Sequence, residues 1–540
     1  MRAYRHGDKG QALILSYLVV AVLLVYTGSL LTTAMTEKNI AERNRLTTET
    51  LYLAEGATEN ALKAFASGIA NFQIGTGPST FSATTTYATF GGTVVNTTIT
   101  ALETDDKTTV DSLGRYVYER LYEAVSTAAH PQNNAISVTV HQIFSRRLIP
   151  TFQHIVFYDD DLEILPGPDM TLSGRIHSNE DIYLDSNGAL TVDTTYLRSA
   201  GNIYNARKDG SGSGGGDVSV RVTKSGAPQY EDMDGLDSSD PNWATEATSR
   251  WNGTVMSAVH GVTALTAPSV GTTAPDGYYA GQADVVITND TIVKNGVTLT
   301  EGVDYPAGTI TSSPSNFYNN REGKYVKMTT VDIGKLSGLS GTCGGGACPN
   351  NLPANGLLYA TRTDAIGAQQ PGIKLINGSE IPRAGGFTVV SNVPAYIQGD
   401  YNTTNEKPTS VIADAVNLLS KDWDDARSTL GVNSRPAATT TYNTAFVAGV
   451  NTTTAGQYNG GLENYPRLHE NWTGDTLNIK GSFVQLWESA VATGAWVYGE
   501  PQYTAPNRNW TYNSAFNDPA HLPPFTPMAV ETRRVAWWKD

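Results

Sequence analysis

Between Lys9 and Glu37 the chain carries no charged side chain, and much of that interval is the apolar run Ala12-Leu13-Ile14-Leu15-Ser16-Tyr17-Leu18-Val19-Val20-Ala21-Val22-Leu23-Leu24-Val25-Tyr26. As a helix rising 1.5 Å per residue, the apolar part from Ala12 to Leu31 is about 30 Å long, the thickness of one hydrocarbon core. This predicts one membrane crossing. Arg2, Arg5 and Lys9 precede it and Asp8 opposes them only partly, so the positive-inside rule leaves the N-terminus cytoplasmic and everything after Glu37 extracytoplasmic. A cleaved signal peptide has a short apolar core followed by a small-residue site, whereas this run is long and continues in helical periodicity, so the anchor is expected to be kept.

Leu46, Leu53, Ala57 and Ala61 fall at helical spacings and form a narrow apolar stripe, with Glu42, Glu49 and Glu59 free for a wet face. Anchor and stripe together predict about fifty to sixty continuous helical residues, roughly 80 Å. Gly28 and Gly56 each weaken such a helix by about 1 kcal/mol relative to alanine and are expected where it bends or opens.

Gly10-Gln11-Ala12-Leu13-Ile14-Leu15, the apolar helix, and the later Leu53-Ala54-Glu55-Gly56-Ala57-Thr58-Glu59-Asn60-Ala61 resemble the N-terminus of PilX-type pilus assembly proteins, relatives of the minor pilins and of the K-type pseudopilins of type II secretion. The resemblance implies that a prepilin peptidase cuts after Gly10 and leaves Gln11 as the new N-terminus. It also implies assembly with other pilins or pseudopilins through the helix. Most major pilins carry a glutamate five residues into the mature chain; Leu15 stands there, as in PilX and K-type proteins, which suits a filament tip rather than a bulk subunit. The competing reading is a plain signal anchor with a stalk helix.

Only 16% of residues are charged, and the chain is rich in Gly, Thr, Asn, Ser and Tyr, which favours extracellular β-structure over a helical enzyme. A net charge of -15 argues against nucleic acid as a partner. The expected fold class is α+β, mainly β: a leader over 1–10, a transmembrane and amphipathic helix over 11–70, a small β-rich pilin-like region over 80–160, and a large β-rich ectodomain over 161–540. Arg115 to Ser126 is ambiguous between strand and helix. Within the ectodomain, Leu172-Ser173-Gly174-Arg175-Ile176, Ile397-Gln398-Gly399-Asp400-Tyr401 and Ile479-Lys480-Gly481-Ser482-Phe483 share a central glycine, which suits strands bending at the corners of a parallel β-helix. Their spacing is irregular, so no fixed repeat emerges, and a sandwich is the alternative. Phrases such as Ser173-Gly174-Arg175-Ile176-His177-Ser178-Asn179 and Gly460-Gly461-Leu462-Glu463-Asn464-Tyr465-Pro466-Arg467 resemble a PilX-associated, surface-exposed ectodomain, which implies no reaction.

Cys343 and Cys348 flank a glycine-rich loop, and in an oxidising compartment a local disulfide is expected, worth roughly 2 kcal/mol in the loop-entropy model. Glycoside hydrolysis would need two carboxylates about 5 to 10 Å apart. Asp159, Asp160, Asp161, Asp400, Asp414, Glu463 and Glu470 are candidates, read first as turns and caps. His177 is read as part of a turn. Asp232-Met233-Asp234-Gly235-Leu236-Asp237 with Asp240 lacks the ligand order of an EF-hand and is read as a solvated loop. Glu463, Asn464, Arg467, Glu470 and Trp472 form the densest polar-aromatic cluster, either a buried Arg–carboxylate pair or a ligand site. Trp487, Trp496, Tyr498, Tyr503, Trp510, Tyr512, Trp537 and Trp538 suit a capping layer, or stacking on sugars or a partner.

The expected function is that of a minor-pilin-like structural protein of a type IV pilus or type II secretion-type filament. It starts in the bacterial inner membrane and then displays its ectodomain on a pilus or at the cell surface. No catalytic residue, cofactor or metal is assigned. Alternatives are a signal-anchored adhesin or carbohydrate-binding protein, and a membrane-tethered polysaccharide-processing enzyme.

Overall fold

The computed structural model describes residues 8–72, 77–212, 214–312 and 317–540. Most of the basic leader, including Arg2 and Arg5, lies outside the described residues, as do Gly75 and Thr76 after the helix. Helix α1 runs unbroken from Asp8 to Phe72, 65 residues and about 100 Å. Its two halves live in different surroundings. From Gly10 to Arg45 every residue is exposed, Leu13 and Tyr17 included. From Leu46 onward the predicted stripe, extended by Ala54, Phe65, Ala66 and Ile69, is buried against a sheet.

That sheet contains β1 (Thr80–Tyr87), β2 (Thr93–Ala101), β3 (Lys107–Val110), β4 (Tyr116–His130) and β5 (Asn133–Pro150). The ambiguous 115–126 segment is therefore strand, its alternating burial matching a sheet with one face on the helix. Phe65 is the central knob, edge-on to Phe81 at 5.5 Å, Tyr122 at 4.9 Å and Phe144 at 5.5 Å. Burying such a ring contributes about 1.5–3 kcal/mol. Beside it Thr58 donates to Ser126 (2.8 Å), which shares a hydroxyl bond with Thr97 (2.6 Å), so the buried hydroxyls on helix and sheet satisfy one another.

Gly56 is not a bend. A Cβ there would lie 2.6 Å from the Tyr87 hydroxyl, which donates to the Leu53 carbonyl at 2.8 Å. The glycine is there because β1 reaches over the helix with a polar ring.

The outer strand of this sheet comes from the far end of the chain. Met528–Lys539 pairs antiparallel with β5 along most of its length, giving the order β1-β2-β4-β5 and then the last strand. Arg147 is ion-paired with Glu531, 384 residues away, and Arg534 with Glu59 of the helix. The domain boundaries expected from sequence are corrected accordingly: the ectodomain is an insertion between two neighbouring strands, and 161–540 wrongly includes a strand of the first domain.

The insertion starts at β6 (Val156–Tyr158), inside the range assigned to the small domain. Three strands form each coil: β6, β7 (Leu162–Ile164) and β8 (Met170–Ser173); then β9 (Ile176–Ser178), β10 (Ile182–Leu184) and β11 (Ala189–Asp193); then β12 (Leu197–Ser199), β13 (Ile203–Tyr204) and β14 (Asp217–Arg221). Equivalent strands pair in parallel, in register. The corners repeat every 20 to 21 residues, where Asp161 accepts from the Asp181 N–H, Asp181 from the Asn202 N–H and Asp169 from the Ala189 N–H. Gly174, at φ +123°, makes the turn from β8 into β9. His177 is not in a turn: it lies in β9, buried and stacked 5.2 Å from Phe157.

A second parallel stack contains Leu357–Thr361, Phe387–Val390, Thr409–Ala413, Thr440–Ala448 and Thr476–Gln485 on one face. Lys324–Asp332, Gln370–Ile376, Ala395–Gln398, Val416–Leu419 and Arg467–Leu468 form another face. Its coil spacing is irregular because long loops are inserted: Leu357 pairs with Thr388, Phe387 with Thr409 only 22 residues on, and Thr440 with Leu477. Gly481, expected at a corner, is in mid-strand, where a Cβ would meet the Thr444 carbonyl at 1.9 Å. The two stacks join where Phe483-Val484-Gln485 pairs in parallel with Val156-Phe157-Tyr158. One continuous sheet thus runs through both, the later half of the chain coming first in space. The disulfide Cys343–Cys348 closes a hairpin on the surface.

The Tyr87–Gly56 contact makes a prediction. Gly56→Ala in the full chain is expected to lower stability by about 1–2 kcal/mol by overpacking. In a Tyr87→Phe background the same change is expected to be neutral or stabilising, since the helix preference for alanine is then unopposed. Denaturant unfolding of the four variants reads the coupling.

Candidate functional site

Two regions are built for more than packing. The first is the outer half of α1. Among the described residues its apolar side chains pack against no other element, and α1 is the one helix long and apolar enough to cross a membrane. Threonine hydroxyls at 27, 32, 33 and 36 bond back to carbonyls one turn earlier, so this half shows few unsatisfied polar groups to an apolar medium. The change of surroundings is sharp: Arg45 pairs with Glu42 and Glu49 at 2.6 Å each, and Glu49 also meets His130 at 3.0 Å, just where the helix reaches the sheet. Gly10 and Gln11 sit in the exposed first turns.

The second region is the seam between the stacks. A cavity of about 200 Å³ is lined by Tyr158, Asp160, Asp161, Glu163 and Glu180 from the first stack and by the 449–467 loop of the second. A neighbour of about 290 Å³ shares Asn464 and is lined by Tyr458, Glu463, Trp496, Tyr498, Tyr503 and Arg508.

The sequence cluster is split by the fold. Glu463, Asn464 and Arg467 line these cavities. Arg467 is paired with Glu322 at 2.5 Å, both buried, a partner the sequence did not suggest. Glu470 instead accepts from the Ser420 N–H (2.7 Å) and hydroxyl (2.6 Å), and Trp472 is fully buried in the core. Arg467 thus sits in an Arg–carboxylate pair with Glu322 rather than with a carboxylate of its own cluster.

The other candidate acids also separate. Asp414 accepts three successive backbone N–H groups, Ala490 to Ala492, at 2.6–3.0 Å, and Asp400 accepts from Thr441 at 2.8 Å; both are caps. Asp159 bonds Asn179 (2.7 Å) and Asp161 meets Lys208 (2.7 Å). In the acidic loop, Asp237 and Asp240 cap Ser239 and Asn242, each two residues on. Sequence reasoning missed Glu163 and Glu322, for which neighbouring residues offered no signal.

Glu463 is the least ordinary of these groups. One carboxylate oxygen accepts from the Leu165 N–H at 2.7 Å; the other is buried with no hydrogen-bond partner among the described residues. Burial pushes its pKa up to about 7, against the pull of Arg508 and the backbone N–H groups. Glu163 is raised as well, again by burial, and it too has an unpartnered buried oxygen.

The aromatic set expected as one cap is dispersed. Trp487 and Trp510 are core residues, and Trp537 and Trp538 lie on the last strand, Trp538 stacked 4.7 Å from His141. Trp496, Tyr498 and Tyr503 gather at the seam. Trp496 Nε1–H donates to the Tyr503 hydroxyl at 3.0 Å, which in turn donates to Asn464.

The raised pKa of Glu463 has a direction. Its neutral form is favoured by the fold, so this stabilisation is complete below the unfolded value near 4.5 and is lost as pH rises through about 7. Glu463→Gln keeps an oxygen for the Leu165 N–H. It is expected to melt above wild type at pH 8, with the gap closing by pH 5, in paired thermal scans.

No family model matches the chain, and no curated protein matches it. Among solved structures, the crystal structure of competence-associated pilin ComZ from Thermus thermophilus aligns with 92% of this chain and 97% of its own, at 9% identity and a TM-score of 0.25.

Proposed function

We propose that this chain is a minor-pilin-like structural subunit of a type IV pilus or type II secretion-type filament. The observation that carries the reading is α1: one continuous helix, bare and apolar over its first half and clamped to a β-sheet over its second. Before assembly the bare half resides in the inner membrane. In a filament it packs among the helices of other pilins or pseudopilins, which keep its apolar side chains from water. The sheet then holds the inserted ectodomain away from the membrane surface.

The leader fits the same reading. The Gly10–Gln11 bond lies in the first turns of α1, where backbone N–H groups lack helical partners and glycine disfavours helix, so exposing it to a prepilin peptidase costs little. Leu15 places no carboxylate in the bilayer, which removes the need for a neighbouring subunit's terminal amine. A subunit lacking that docking contact suits a terminal position.

N-terminal mass spectrometry of the membrane-extracted protein, with and without co-expressed prepilin peptidase, tests this. A mature chain beginning at Gln11 only when the peptidase is present is expected. Met1 retained in both conditions would leave a simple anchored surface protein as the reading.

A further inference from the structure

We infer that the seam between the two coil stacks is a binding site for a neutral oligosaccharide, held by the rings of Tyr458, Trp496 and Tyr498 and by the carboxyl of Glu463. The site does not depend on the assembly role of α1, and it lies on the ectodomain that α1 would carry.

The rings form a wall rather than a core. Tyr458 meets Trp496 edge-on at 5.0 Å and Tyr498 meets Tyr503 edge-on at 5.7 Å. Trp496 and Tyr458 are only part-buried, and Tyr498 is 55% exposed at the rim. The faces of Trp496 and Tyr498 match the C–H faces of pyranose rings, Tyr458 closes the wall with Arg207 stacked 5.0 Å from its ring, and the ring edges are pinned by the Trp496–Tyr503–Asn464 hydrogen-bond chain. Preorganised rings bind at low entropic cost.

The same cavity holds polar atoms left without a partner among the described residues. The second oxygen of Glu463 and the Nε of Arg508 are buried without hydrogen-bond partners among the described residues, and both residues line the same cavity. Buried polar atoms ordinarily find partners, and a ligand's hydroxyl groups supply both donors and acceptors. The raised pKa of Glu463 lets its carboxyl serve in either role near neutral pH. The two adjoining cavities, about 200 and 290 Å³, together reach the lower part of the range for small-molecule sites, roughly 300–1,000 Å³.

Charge selects the class of sugar. The adjoining cavity presents Asp160, Asp161, Glu163 and Glu180 against three cations, of which Lys208 is paired with Asp161, Arg467 with Glu322, and Arg321 donates to the Gly494 carbonyl. A polyanion entering there meets uncompensated carboxylates. Hydroxyl-rich neutral chains do not.

The test uses the full chain in detergent, titrated calorimetrically with neutral hexose and N-acetylhexosamine tetrasaccharides, and with a hexuronate tetrasaccharide as the anionic counterpart. Saturable binding of at least one neutral tetrasaccharide is expected, weakened at least tenfold by Tyr498→Ala and by Glu463→Gln. The melting temperature of the Tyr498→Ala variant should stay unchanged, because that ring is exposed. Absence of binding to every neutral tetrasaccharide overturns the proposal. So does binding that neither variant alters, or tighter, salt-sensitive binding of the hexuronate.

Discussion

The pairing of β5 with the strand at the end of the chain is the contact on which the architecture depends. It returns the chain to the sheet it left at Pro150, so the whole ectodomain becomes one closed excursion. Closing so long a loop is entropically unfavourable, but the cost grows only with the logarithm of length, and a long ladder with buried ion pairs is enough to hold it. Arg147 illustrates this: it meets Asp111 at 3.1 Å from its own side and Glu531 from the returning strand, nearly excluded from water. Breaking such a pair from one side would strand a buried charge. Two covalent connections, rather than one, then tie the ectodomain to the helix-bearing sheet, which restricts its swing relative to α1.

Inside the excursion the parallel ladders impose a second order. Because the strand Thr476–Gln485 pairs with β6, the coils form one uninterrupted sheet although the chain visits its halves in reversed order. Each coil covers the edge of its neighbour, so few strand edges are left open for pairing with other chains. The junction is also where long loops from different parts of the chain converge. Tyr158 and Glu163, Arg207, Tyr458 and Glu463, and Trp496 and Arg508 meet there because the two stacks abut, not because any segment encodes a site.

Much of α1 was legible in the sequence. An uncharged apolar run followed by a stripe at helical spacing has one good solution, and the stripe residues Leu53, Ala57 and Ala61 are those buried on the sheet. Gly56 was legible as a glycine and misread as a bend, since its reason is a tyrosine hydroxyl from another strand. The coil repeat of the first stack was present but hidden: strands of three residues carry too little alternation to show a period, and loops inserted between coils of the second stack make its spacing irregular. Arg467 was singled out for a buried ion pair, yet its partner Glu322 is 145 residues away.

By itself the sequence determined a single membrane-length helix, an amphipathic extension of it, and a β-rich remainder of low charge, because hydrophobic length and periodicity are local properties of a chain. The tertiary structure alone decided that the last strand joins the first domain, that the stacks meet in reversed order, and that Glu463 shares a cavity with Tyr458, Trp496 and Tyr498. Those outcomes rest on backbone hydrogen bonds between distant strands, which are chemically alike at every residue and leave no mark in the side chains that make them.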